Sequence, residues 1–175
     1  MKVLGLPGIN PATGPWMQQL IESVALGQSD SIIQNYQCWS RPGTGLNLEF
    51  EAGAAGREKP DLVIAKSIGT RVALFSYFKN LLAADSYVFI GTPLRGYSDN
   101  EIELLGKFCA SVPVLLIQQT NDKVGGYQSL ATLIPTSASC RIVEVPGNDH
   151  VYSDINLLRE IIESWYREAE GRDVV

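Results

Sequence analysis

Three side chains in this sequence have the types and the order from which a proton relay to a nucleophile can be built: Ser67, Asp122 and His150. A serine hydroxyl is a weak nucleophile near neutral pH. It needs an imidazole to take its proton and a carboxylate to hold that imidazole in one tautomer. The chain has a single histidine, so any such relay has one candidate base. His150 ends the run Pro146-Gly147-Asn148-Asp149-His150, and Asp122 sits in Gln119-Thr120-Asn121-Asp122-Lys123. Each residue also has a plainer reading. Ser67 could cap a helix, Asp122 could form a turn, and His150 could be an ordinary loop residue. What favours the relay is the joint placement, each residue lying just past an apolar run. Asp149 is the competing carboxylate, but as the immediate neighbour of His150 it is poorly placed to reach the Nδ1 side of the ring.

These residues need elements to carry them. Leu62 to Ala65 reads as a buried strand, followed by a tight turn at Ser67 and an apolar helix from about Gly69 to Leu82. That is the context of a nucleophile elbow, a sharp turn that lifts one hydroxyl above a sheet while small neighbours, here Ala65 and Gly69, let the backbone bend. Further strands are expected at Lys2 to Leu6, Ile32 to Cys38, Tyr87 to Ile90, Val112 to Gln118 and Arg141 to Val145. Helices are expected from Pro15 through Val24, after a cap at Asp99, over Val124 to Ile134, and after Asp154 with Ile155, Leu158, Ile161, Ile162 and Trp165 on one side. Trp39 to Pro60 reads as a loop followed by a short helix. Strands alternating with helices imply one three-layer, doubly wound domain over residues 1–175, with about six mainly parallel strands. Ligands of such sheets bind beyond the carboxyl ends of the strands, where the three residues fall.

Composition narrows the function classes. With 45% hydrophobic and 19% charged residues the chain has a globular balance, and a net charge of -5 gives no general attraction to nucleic acid or anionic membranes. No apolar run approaches the 18 or so residues of a membrane span, and no secretory signal is read before Pro7 and Pro11, so a cytoplasmic setting is expected. Cys38, Cys109 and Cys140 lack metal-ligand spacing and read as reduced core thiols. Neither a Gly-x-Gly-x-x-Gly nor a Walker-type run is present, which places a nucleotide or flavin binder well behind.

Together Pro7-Gly8 with Trp16 behind it, Ala65-Lys66-Ser67-Ile68-Gly69, Asn121-Asp122 and Gly147-Asn148-Asp149-His150 resemble the α/β-hydrolase superfamily, in a minimal form of the small serine hydrolase and esterase type. The resemblance implies an α/β-hydrolase fold without a cap domain, since only a short loop separates Ile90 from the Asp99 helix. It implies Ser67 as nucleophile, His150 as general base and then acid, and Asp122 as the orienting carboxylate. The sequence departs from the family at Ala65, where the motif has its first glycine, and at Pro7-Gly8, where a His-Gly is usual. An acyl-transfer site must also stabilise a tetrahedral oxyanion, for which the backbone N–H groups of Ile68 and Ile9, with Asn10 next, are the expected donors. The expected activity is cleavage of an ester, thioester or amide of a small acyl substrate, with no metal or organic cofactor. The alternative is a catalytically silent binding or interaction module on the same fold. Pro11 to Trp16, Trp39 to Leu46 and Leu94 to Tyr97 are the expected pocket walls. Arg95 and Lys66 read first as surface charge, and second as attraction for an acyl group bearing a carboxylate.

Overall fold

The computed structural model describes residues 1–27, 30–41, 43–169 and 171. Its elements run β1 (Lys2–Leu6), α1 (Thr13–Ser23), β2 (Asp30–Ile33), a 3-10 turn (Gln37–Ser40), α2 (Leu48–Gly56), β3 (Leu62–Lys66), α3 (Ile68–Phe78), β4 (Ser86–Ile90), a second 3-10 turn (Leu94–Gly96), α4 (Asp99–Ser111), β5 (Val114–Gln119), α5 (Tyr127–Leu133), β6 (Cys140–Val145) and α6 (Ile155–Ala169). The six strands pair in the order β2-β1-β3-β4-β5-β6, and every pair is parallel. This is the three-layer, doubly wound architecture the alternation implies.

Because successive strand residues face opposite sides, the sheet divides its apolar residues between two cores. Leu4, Leu6, Val63, Ala65, Phe89 and Leu116 pack against α2, α3, α4 and α5. Val3, Leu62, Ile64, Val88, Ile117 and Val145 pack against α1 and α6. The first core is closed by aromatic rings. Phe108 of α4 lies 4.8 Å from Tyr87 and 5.3 Å from Phe89, edge-on to the one and stacked on the other. Such pairs add roughly 0.5–1.5 kcal/mol each beyond burial, which fixes α4 against the middle strands. Cys109 and Cys140 are buried free thiols, and Cys38 is half-buried at the edge of the same core.

Several element boundaries differ from the sequence expectation. The second strand occupies Asp30–Ile33 rather than Ile32 to Cys38. The Gln34 N–H still donates to the Gly5 carbonyl at 2.9 Å, and beyond it the chain turns toward α2 and the loop after β1: Gln34 Nε2 and the Gln37 N–H donate to the Glu51 carboxylate at 2.7 and 2.8 Å, and Tyr36 OH donates to the Pro7 carbonyl at 2.8 Å. β5 starts at Val114, since Val112 closes α4 with its N–H on the Phe108 carbonyl, and Pro113 has no N–H for a ladder. α5 begins only at Tyr127, after Gly125 turns the chain at φ 143°. α3 ends at Phe78, where Asn80 takes φ 55°. α4 is capped by Ser98, not Asp99, through a capping box in which Ser98 and Glu101 serve each other's backbone N–H. Among the described residues no helix is long and apolar enough to cross a membrane.

Candidate active site

The carboxyl ends of β3, β5 and β6 bring Ser67, Asp122 and His150 to one point. His150 Nε2 lies 2.8 Å from Ser67 Oγ, and its Nδ1 lies 2.7 Å from Asp122 Oδ2. In this contact the imidazole can take the hydroxyl's proton at Nε2 while the carboxylate holds the ring in the tautomer with hydrogen on Nδ1.

Ser67 sits at φ 52° and ψ -119°, a backbone conformation that costs a non-glycine residue roughly 1–3 kcal/mol. The elements on both sides impose it. The Ser67 N–H continues the β3–β4 ladder onto the Ile90 carbonyl at 3.0 Å, while the Ser67 carbonyl accepts the first α3 bonds, from Thr70 N at 3.0 Å and Thr70 Oγ1 at 2.7 Å. Gly69 has a steric reason: a Cβ there would collide with the carbonyls of Leu6 and Pro7, so α3 approaches the end of β1 more closely than any other residue allows. Ala65 is fully buried between β3 and α3. Ser67 occupies the N-cap position but makes no side-chain capping bond, which leaves its hydroxyl for His150.

Asp122 does both things the sequence allowed. Its Oδ1 accepts the Val124 N–H at 3.0 Å as a turn former would, and its Oδ2 accepts from His150 and from Tyr152 OH at 2.8 Å. Burial on its own would raise this carboxyl, but the hydrogen bonds from His150, Val124 and Tyr152 outweigh it and hold the group below the ordinary carboxylate range. Asp149 is turned away from the imidazole. Its Oδ1 accepts from Gln119 Nε2 at 3.0 Å and from Val151 N at 2.8 Å.

The loop after β1 is pinned through its carbonyls. Pro7 O accepts from Tyr36 OH, Gly8 O from Thr13 Oγ1 at 3.0 Å, and Ile9 O from Trp39 Nε1 at 2.7 Å. In a planar trans peptide the N–H points opposite to the carbonyl, so holding Gly8 O toward Thr13 fixes the direction of the Ile9 N–H. Neither the Ile9 nor the Ile68 N–H has a hydrogen-bond partner among the described residues.

A cavity of about 360 Å³ opens at this point. Ile9, Ala12, Trp16 and Val151 give it apolar walls, and Lys66, Lys123 and Asp149 border it. Of the expected walls, only the Pro11 to Trp16 stretch contributes among the described residues, which leave out Pro42 of the second. Trp39 stands behind the Ile9 carbonyl, Leu94 is core, and Tyr97 bonds to Thr70 Oγ1 at 2.8 Å. Arg95 is exposed, as expected, but Lys66 is only 3% exposed and is not surface charge. Its position was legible in the strand period: with Leu62 and Ile64 on the α1/α6 face, Lys66 must follow them inward. Gln119 and Tyr152, which hold the histidine segment, left no such trace. Among the described residues no group of three or more His, Cys, Asp or Glu is placed to hold a metal ion.

The fold is the α/β-hydrolase fold. The structure superposes on Est1E from Butyrivibrio proteoclasticus, solved with ferulic acid bound, at a TM-score of 0.69 over 97% of this chain and 89% of that one, with 10% identity. It also superposes on MGS-MChE2, an α/β hydrolase enzyme from a lagoon sediment metagenome of Mar Chica, Morocco, at 0.61 over 97% and 92% with 12% identity. An uncharacterized Bacillus cereus protein matches at 0.68 and 16% identity over 95% of this chain, which spans 59% of that protein. Identities this low speak for the fold alone. No family model and no curated protein sequence matches the chain.

Proposed function

We propose that this protein is a serine hydrolase that cleaves an ester, or a related thioester or amide bond, through an acyl-serine intermediate. The observation that carries the reading is the single histidine held between Ser67 Oγ and Asp122 Oδ2 at hydrogen-bond distance on both ring nitrogens. Ser67 attacks the acyl carbon as His150 Nε2 takes its proton. Asp122 keeps the tautomer with hydrogen on Nδ1 and stabilises the imidazolium that forms. His150 then returns the proton to the leaving group, and a water molecule, activated by the same imidazole, releases the acid. The N–H groups of Ile68 and Ile9 supply the oxyanion donors, each worth about 2.7–4 kcal/mol in a related acyl-transfer site. All of these groups belong to the chain itself.

The cavity favours a small acyl substrate with an apolar part, since Ile9 and Val151 at its mouth are about half exposed. A fluorophosphonate probe is expected to label the protein at Ser67, and Ser67→Ala is expected to abolish both labelling and turnover of a short-chain ester. Labelling that persists in Ser67→Ala, or a folded wild-type chain that the probe leaves untouched, would overturn the reading.

A further inference from the structure

The proposed reaction uses Ser67 but not its neighbour Lys66, a charge taken almost entirely out of water. A buried ammonium costs free energy unless the protein replaces its hydration. Here Lys66 Nζ donates to the His150 carbonyl at 2.9 Å and lies 5.2 Å and 5.3 Å from the ring centroids of Trp16 and Tyr152. The rings are themselves joined, because Trp16 Nε1 donates to the Tyr152 carbonyl at 3.0 Å. Three separate segments, α1, the end of β3 and the segment after β6, therefore meet around one ammonium.

We propose that Lys66 is a positioning residue whose ammonium, set between the rings of Trp16 and Tyr152, grips the His150 carbonyl and keeps the imidazole aligned between Ser67 and Asp122. The inference rests on the acyl-serine reading, where that alignment sets a rate. Its force comes from adjacency: the residue that grips the base's backbone is bonded to the residue that bears the nucleophile, so the two ends of the Ser67–His150 hydrogen bond share one rigid support. His150 is held at φ 65° from both sides, by Lys66 at its carbonyl and by Gln119 Oε1, which accepts its N–H at 2.9 Å.

The grip depends on charge. A charge-assisted hydrogen bond is roughly twice as strong as a neutral one, and a neutral amine has no cation–π attraction. Burial pulls the Lys66 pKa down to about 8, against the carboxylates of Asp122 and Asp149, which favour the charged form, and with the ammonium of Lys123, which opposes it. Tyr152, pushed above its ordinary range chiefly by burial, stays neutral beside it. Since the unfolded lysine titrates near ~10.4, the unfolded chain binds the extra proton between about pH 8 and that value, and the Lys66 contribution to stability rises with pH there. The site slackens without the fold weakening on this account.

The single histidine makes the test direct, because the imidazole NMR signals belong to His150 alone. In the wild type they are expected to shift near pH 8, as Lys66 gives up its proton, with the probe-labelling rate falling across that step. Lys66→Met is expected to label about 10- to 100-fold more slowly at pH 7 and to lose the step near pH 8 in both measurements. Lys66→Arg, charged throughout, is expected to carry labelling past pH 8 without the fall. A Lys66→Met chain that labels at the wild-type rate, or that retains the step near pH 8, would overturn the proposal. A wild type that shows the step near pH 8 but is never labelled would sink the acyl-serine reading and leave the hold of Lys66 on His150 standing.

Discussion

The turn after β3 and the segment after β6 meet at one hydrogen bond, and each holds a non-glycine residue at positive φ, Ser67 at 52° and His150 at 65°. They reach that state by different means. Ser67 is fixed by backbone bonds to residues in the elements that flank it, the Ile90 carbonyl and the first turn of α3. His150 has no helix or strand of its own. It is held by side chains from elsewhere: Lys66 at its carbonyl, Gln119 at its N–H, Asp122 at its ring and Trp16 at the Tyr152 carbonyl two residues on. A serine placed by secondary structure is expected to tolerate change in distant side chains, and a histidine placed by side chains is not.

That contrast can be broken at either end. The largest effect is expected from Gly69→Ala, where the added Cβ must push α3 away from the Leu6 and Pro7 carbonyls. Overpacking of this kind costs about 1–3 kcal/mol or more, and because it displaces the Ile68 N–H together with Ser67, probe labelling is expected to fall by roughly 100-fold along with the melting temperature. A variant that melts and labels like the wild type would show that the turn is less constrained than its geometry states. Next comes Gln119→Ala, which strips the acceptor from His150 N–H and the donor from Asp149. Labelling is expected to drop by about 10-fold, with a loss of stability in urea of about 1 kcal/mol for the His150 N–H left without its acceptor. If labelling is untouched, side-chain scaffolding is not what aligns His150. The smallest effect is expected from Asp149→Asn, since an amide oxygen can still accept from Gln119 and Val151. Turnover within about two-fold of wild type would agree with Asp122 as the ring's partner, while a large loss would reinstate Asp149.

The same contrast explains what could be read in advance. β3, its turn and α3 were legible because an apolar run, two small residues and an apolar helix follow one another between Leu62 and Phe78. The strand count and parallel order followed from alternation. The boundaries that moved did so where a polar group found a distant partner, as with Gln34 and Tyr36 beyond β2, or where a local device outranked a nearer candidate, as with Ser98 over Asp99. Lys66 was misread for a related reason. Composition treats lysine as surface charge, whereas strand parity carried it under α1, and only the rings of Trp16 and Tyr152 show how a charge survives there.

By itself the sequence determined the layered fold, the serine at a strand-to-helix turn and the order of serine, aspartate and histidine, because each depends on periodicity or on residues close in the chain. Tertiary structure decided which carboxylate meets the imidazole, which loops wall the cavity and what holds the histidine. Those depend on side chains from segments up to 136 residues apart, such as Trp16 and Tyr152. Their directions are set only once both faces of the sheet are covered.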